Sequence, residues 1–164
     1  MRPYVVTYSG GLWHTMHALA AYRPATNVNL LSSISCTAVG TCVVGGQSDP
    51  KRGGGSSALV AEENHGRWTT PYAVGSANAV ESISCARATS CTGVLTHTTG
   101  DFAGVATMSS NHHWSVRVPK SVAGWSNLRG WAMSCVLDQC TIVGSGSMAP
   151  TSPPSALIMT LSVA

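Results

Sequence analysis

The residues of this chain best placed to do chemistry are its six cysteines, and they follow a fixed pattern. Ile34-Ser35-Cys36, Ile83-Ser84-Cys85 and Met133-Ser134-Cys135 are each followed by a second cysteine, at Cys42, Cys91 and Cys140. Three chemistries compete for such pairs: disulfide bonding, metal ligation and thiol redox catalysis. Metal-binding cysteines usually stand two to four residues apart in sets of four ligands, and none of the six histidines recurs in step with these pairs. Redox motifs favour a two-residue gap at a helix start, which is absent here. Cysteines at the end of one strand and the start of its hairpin neighbour lie within disulfide reach. The spacing therefore favours three structural disulfides, ahead of buried thiols or a metal site, and with them an oxidising compartment: secreted or extracytoplasmic. No metal and no cofactor is expected.

The remaining candidate groups are thin. The acids are Asp49, Glu62, Glu63, Glu81, Asp101 and Asp138. Glu62 and Glu63 are adjacent on an expected strand end and would point to opposite faces, which is unsuited to a two-carboxylate hydrolase. Ser35, Ser84 and Ser134 stand beside cysteines without the Gly-x-Ser-x-Gly elbow of a serine nucleophile. His112-His113 reads as a polar turn, and Gly53 to Gly55 lacks the lysine of a phosphate loop. No catalytic residue is assigned. Trp125, Arg129 and Trp131 differ from the rest because they occur once, and an aromatic and arginine patch is the kind of surface enriched at binding sites. They are the candidate ligand-binding residues, with packing between sheets as the alternative role.

The elements that must position these groups are strands. Cys36, Cys85 and Cys135 are 49 and 50 residues apart, a spacing typical of one small sheet in a repeat array. Ile34 and Cys36 alternate with Ser33 and Ser35, as Ile83 and Cys85 do with Ser82 and Ser84, which predicts a strand of period two. A hairpin partner begins at each second cysteine, for instance Cys140-Thr141-Ile142-Val143. A third strand follows a loop: Ala58-Leu59-Val60-Ala61, Gly104-Val105-Ala106-Thr107-Met108 and Ala156-Leu157-Ile158-Met159-Thr160. A turn and a tryptophan then close the unit, at Trp68 and Trp114, and the same signature occurs early, at Trp13. Only 9% of residues are charged against roughly 25% in an ordinary soluble domain, and Val, Thr, Ser and Gly dominate, so almost no helix is expected.

Composition also excludes partners. The net charge of +3 comes from nine scattered Lys and Arg, with Lys51-Arg52 the only basic pair, so the basic stripe of a nucleic-acid binder is missing. No stretch nears the roughly 20 apolar residues of a spanning helix. Between Met1-Arg2 and Ala18-Leu19-Ala20, the polar or small residues Ser9, Gly10, Gly11, His14 and His17 interrupt any signal-peptide core. The expectation is that residues 3–16 already belong to a repeat.

The turns before Trp13, Trp68 and Trp114 resemble a degenerate Asp-box, the Ser-x-Asp-x-Gly-x-Thr-Trp turn (BNR repeat) of sialidase-type propellers. The whole unit is similar to blades of bacterial propeller proteins related to photosystem assembly factors. Ser9, Gly11 and Trp13 match part of the box, as do Gly66, Trp68 and Thr69, and Ser110 and Trp114 match less; no copy keeps the aspartate. The resemblance implies structural turns whose tryptophans pack between blades. Sialidase chemistry would further need an arginine cluster, a tyrosine with its glutamate partner, and an aspartic acid. Arg2, Arg23, Arg52, Arg67, Arg87, Arg117 and Arg129 are instead dispersed.

The expected fold is thus all-β: a β-propeller-type array over residues 1–164, about 3.5 repeats of roughly 50 residues, each an antiparallel four-stranded sheet. The units are 4–28 (partial), 29–78, 79–127 and 128–164 (partial). Such an array leaves an unpaired edge. It would be a segment of a longer propeller, an undersized ring, or half of a homodimer that completes the propeller. The expected function is a non-catalytic binding or scaffold module recognising a protein or glycan through loops on one face. A sialidase-like or other glycoside hydrolase and a purely structural segment of a surface protein are the alternatives.

Overall fold

The computed structural model describes residues 3–14, 16–20, 22, 27–50, 54–97, 101–118, 125–148 and 152–162, and among them there is no helix. Lys51, Arg52, Gly53, Arg2 and Arg23 lie outside the described residues.

The chain opens on one long hairpin. Tyr4–Val5 (β1) pairs with His17–Ala18 (β4), and inside that pair Tyr8–Ser9 (β2) pairs with Leu12–Trp13 (β3) around Gly10-Gly11, both at positive φ. Glycine is needed there because a two-residue hairpin turn takes both central residues into the left-handed region.

The second sheet comprises Asn27–Ala38 (β5), Thr41–Pro50 (β6), Ser57–Asn64 (β7), Arg67–Trp68 (β8) and Tyr72–Ala73 (β9), with β8 and β9 both pairing with β7. The third runs Ala79–Arg87 (β10), Ser90–Thr96 (β11), Phe102–Met108 (β12) and Trp114–Arg117 (β13). The fourth has Ser126–Val136 (β14), Gln139–Ser147 (β15) and Ser155–Ser162 (β16). Every pairing is antiparallel, and within the second, third and fourth sheets all but the pairing of β9 with β7 join strands consecutive in the chain, as short loops require.

The cysteine pairs are disulfides. Cys36 faces Cys42, Cys85 faces Cys91 and Cys135 faces Cys140 across a two-strand ladder, with Cα atoms 4.0, 3.9 and 4.1 Å apart. In the first two hairpins the register slips by one residue just after the first cysteine; in the third, whose loop is one residue shorter, it does not. A second slip occurs in all three first strands, leaving Ser32, Glu81 and Trp131 as the extra residue of a bulge.

The sheets stack face to face through three apolar clusters. Leu19 and Val5 of the hairpin meet Val44, Ala61, Leu31 and Trp68 of the second sheet. Val43, Val60 and Val74 meet Val80, Ile83 and Leu95 between the second and third. Val94 and Val105 meet Ile142, Met133 and Met159 between the third and fourth. The seams are tight: a Cβ on Gly45 would come within 2.5 Å of Val80 Cγ1, so glycine there permits the close approach.

The serines of the cysteine phrase also cross these seams. Ser33 Oγ accepts from the Ile83 N–H and Ser35 Oγ from the Cys85 N–H, both at 2.9 Å. One sheet on, Ser82 Oγ accepts from Met133 N–H at 3.0 Å and Ser84 Oγ from Cys135 N–H at 2.9 Å. A strand on the inner edge of its sheet has N–H groups with no ladder partner, and a short hydroxyl from the preceding sheet satisfies them. The serines beside the cysteines therefore set the spacing and register of one sheet on the next.

Candidate functional site

Two regions collect polar groups in concave surroundings. The first contains part of the expected contact patch. Arg129 and Trp131 on β14 line a hollow of about 730 Å³ together with Asp101, Asn127 and Ser145. Trp131 is 61% exposed because it is the bulge residue and is set apart from the alternation of its strand. Arg129 Nε lies 3.9 Å from Asp101 Oδ1, both side chains about half exposed, so the pair orients the guanidinium more than it stabilises the fold. Asn127 holds a positive φ of 50°. Trp125 is not part of this wall: it is partly buried, and a Cβ on Gly146 would lie 2.8 Å from its Cε3, so its ring packs on the β15 backbone. The three residues thus divide into two at a hollow and one in packing.

The second region joins two sheets. Glu62 on β7 is 8% exposed, although its neighbours along the strand are Leu59, Val60 and Ala61. Its Oε1 accepts the Tyr72 hydroxyl of β9 and, at 3.4 Å, the indole N–H of Trp114 on β13. Its Oε2 lies 2.5 Å from His112 Nδ1, in the turn before β13, where His112 holds a φ of 61°. Three donors on one carboxylate offset the desolvation of its charge. The Tyr72 phenol is pushed well above its ordinary range, first by burial, then by its hydrogen bond to Glu62 and that residue's charge, with the Trp114 hydrogen bond working the other way. Tyr72 is therefore a neutral donor at physiological pH.

Glu62, Tyr72 and His112 contribute to the wall of a cavity of about 600 Å³ that also meets Cys42, Cys85 and Cys91. The tyrosine and glutamate pair matches one part of the sialidase requirement. The described residues of the wall include no arginine, and their acids are the sequence neighbours Glu62 and Glu63. As built, the cluster joins the second and third sheets through one carboxylate.

The tryptophans before which the box-like turns stand fall in different places. Trp114 packs on the core between the second and third sheets, and Trp68 on the cluster beneath the first hairpin. Trp13 is 70% exposed, with its ring centroid 5.0 Å from that of Tyr8.

In the sequence Glu62 and His112 stand 50 residues apart, and nothing local joins them. A usable signal was present: an acid inside the apolar run Ala58-Leu59-Val60-Ala61-Glu62, at a strand position where the third sheet has Thr107. No protein-family model matches this chain, and no curated protein matches it.

Proposed function

We propose that this chain is a non-catalytic recognition module that works outside the cytoplasm, built as a propeller-type array with degenerate Asp-box-like turns, and that it binds a glycan. The observation that carries the reading is the hollow at Arg129 and Trp131. It joins an exposed indole face to a guanidinium, a carboxylate, an amide and several hydroxyls. A sugar ring presents an apolar face for the indole and hydroxyls for the polar groups, and a cavity of this size suits a short saccharide. The three disulfides support the compartment, since such bonds persist under oxidising conditions.

A glycan array tests the reading. Trp131→Ala is expected to weaken binding at least about fivefold without lowering the melting temperature. Loss of the fold in that variant would assign Trp131 to packing instead.

The Tyr72 and Glu62 pair favours one second reading, a glycoside hydrolase. A reporter-sugar assay separates the two: turnover abolished by Glu62→Gln in a folded variant would replace the binding module with an enzyme.

A further inference from the structure

The first hairpin rests on the second sheet as the outer strands of the second sheet rest on the third. Val5 pairs with His17 as Val60 pairs with Tyr72. The Pro3 and Thr7 carbonyls accept from the Leu19 and His14 N–H groups, just as those of Ala58 and Glu62 accept from Val74 and Thr69. β1 is therefore the counterpart of β7, a third strand, with Tyr4 at the place of Leu59 and Val6 at that of Ala61. Because alternate residues bond to opposite sides, Leu59 and Ala61 turn their backbone groups to Gly46 and Val44 of β6. Among the described residues no strand pairs with β1 on that side, so the backbone groups of Tyr4 and Val6 form an open edge.

This edge borders a hollow of about 310 Å³ that is also lined by Leu31, Ile34 and Val44. One sheet on, the same position is filled by β6. A Cβ on Gly45 would come within 2.5 Å of Val80 Cγ1 and 3.4 Å of Ile83 Cδ1, so β6 lies directly over those two side chains. Leu31 and Ile34 stand before Cys36 as Val80 and Ile83 stand before Cys85. Ile34 is 51% exposed, against 4% for Ile83.

The internal seams also show which residue fits over that floor. Five residues before the first cysteine of each pair stand Leu31, Val80 and Gly130, and three after the second stand Gly45 and Val94 in the first two. Gly45 lies on Val80, and Val94 lies on Gly130, where a Cβ would come within 2.9 Å of Val94 Cγ1. Each contact pairs one large residue with a glycine, because the strands are too close for two side chains. Opposite Leu31, the fitting residue is glycine.

We propose that β1 takes on a further strand in this hollow: an extended apolar segment of another polypeptide, antiparallel to β1. It carries a glycine over Leu31 and a β-branched residue two places earlier, as Val43 precedes Gly45. Backbone hydrogen bonds to Tyr4 and Val6 supply affinity, and the Leu31 and Ile34 side chains select the sequence. A second copy of this chain is a poor source, since its own second strands β6, β11 and β15 are each paired on both edges. The hollow shares no residue with that of Arg129 and Trp131, so this site does not depend on the glycan reading.

Fluorescence anisotropy with a labelled synthetic peptide of residues 41–48 carrying Cys42→Ser tests the proposal. The peptide should bind the oxidised chain saturably, with a dissociation constant of about 100 μM or lower. Gly45→Val in the peptide should weaken binding at least about tenfold, and Leu31→Ala in the protein should recover most of that loss. N-methylation of peptide Val44, whose N–H faces β1, should cost at least about fivefold. N-methylation of Val43, whose N–H faces away from β1, should cost less than about twofold. In the protein, Val6→Pro removes an edge donor and Ile34→Glu charges the floor, and each should weaken binding at least about fivefold with unchanged circular dichroism. A folded chain that does not bind the peptide overturns the proposal, and so does binding indifferent to Gly45→Val or equally sensitive to the two N-methyl groups.

Discussion

The third and fourth sheets carry the same phrase at the same register and differ in what lies beside them. β11 reads Cys91-Thr92-Gly93-Val94-Leu95 and is buried along nearly its whole length; β15 reads Cys140-Thr141-Ile142-Val143-Gly144 and alternates buried with exposed. Neither string announces the difference, since both are short apolar runs of the kind that a covered strand shows. Burial on the second face is a property of the neighbour, not of the strand.

The largest expected effect separates the two sheets directly. Val94→Asp places a charge where nothing can solvate it and should cost upward of about 3 kcal/mol or prevent folding, while Val143→Asp should stay within about 1 kcal/mol in urea denaturation at low protein concentration. Equal losses would mean that the exposed face of the fourth sheet is covered in the monomer.

The two seams of the third sheet give the next contrast. Glu62 faces Val43 as Thr107 faces Thr92, so the seam with the second sheet holds a buried carboxylate where its counterpart holds a hydroxyl, 3.0 Å from Ser115 Oγ. Glu62→Ala leaves Tyr72, Trp114 and His112 without their acceptor and should cost about 2–3 kcal/mol; Thr107→Ala should cost under about 1 kcal/mol. Partial recovery in Glu62→Gln, measured by thermal unfolding, would show that acceptor geometry matters beyond charge.

The same seam predicts an alkaline response. Tyr72 is harder to ionise in the folded chain than in the unfolded one, so its contribution is fully present below about pH 10, the ordinary tyrosine value, and declines as pH rises beyond it. In the ultraviolet titration of the four tyrosines, Tyr72 should ionise last, and Tyr72→Phe should flatten the fall in stability above that pH. A Tyr72 that titrates together with the other three would detach the phenol from Glu62.

The smallest contrast is between two serines of the repeated phrase. Ser84→Ala removes the acceptor of the Cys135 N–H and should cost about 1 kcal/mol, whereas Ser134→Ala should leave monomer stability unchanged. Equal values would show that these hydroxyls do not set the spacing of the sheets.

Much of the local structure was legible. The alternation of Ile34 and Cys36 with Ser33 and Ser35 marked a strand, the spacing of each cysteine pair marked a hairpin, and Gly10-Gly11 marked a turn. Of the three residues singled out in the last unit, Trp131 and Arg129 share a hollow and Trp125 packs on β15, a division that the sequence does not mark. The Glu62 cluster was not legible, because Tyr72 reaches the carboxylate through the pairing of β9 with β7, while His112 and Trp114 reach it only through the stacking of the third sheet on the second.

By itself, then, the sequence determined what depends on neighbours within one hairpin: strands from a period of two, turns from glycine, and disulfides from cysteines held opposite each other across a ladder. The tertiary structure alone decided what depends on the distance between sheets. It turned Ser33, Ser35, Ser82 and Ser84 into acceptors for strands about 50 residues away, gathered three donors on Glu62, and left Val143 and Ile158 exposed where their counterparts are buried. The physical reason is that a hydrogen bond or an apolar contact reaches only a few ångströms, and no local pattern in a chain records which remote strand will come that close.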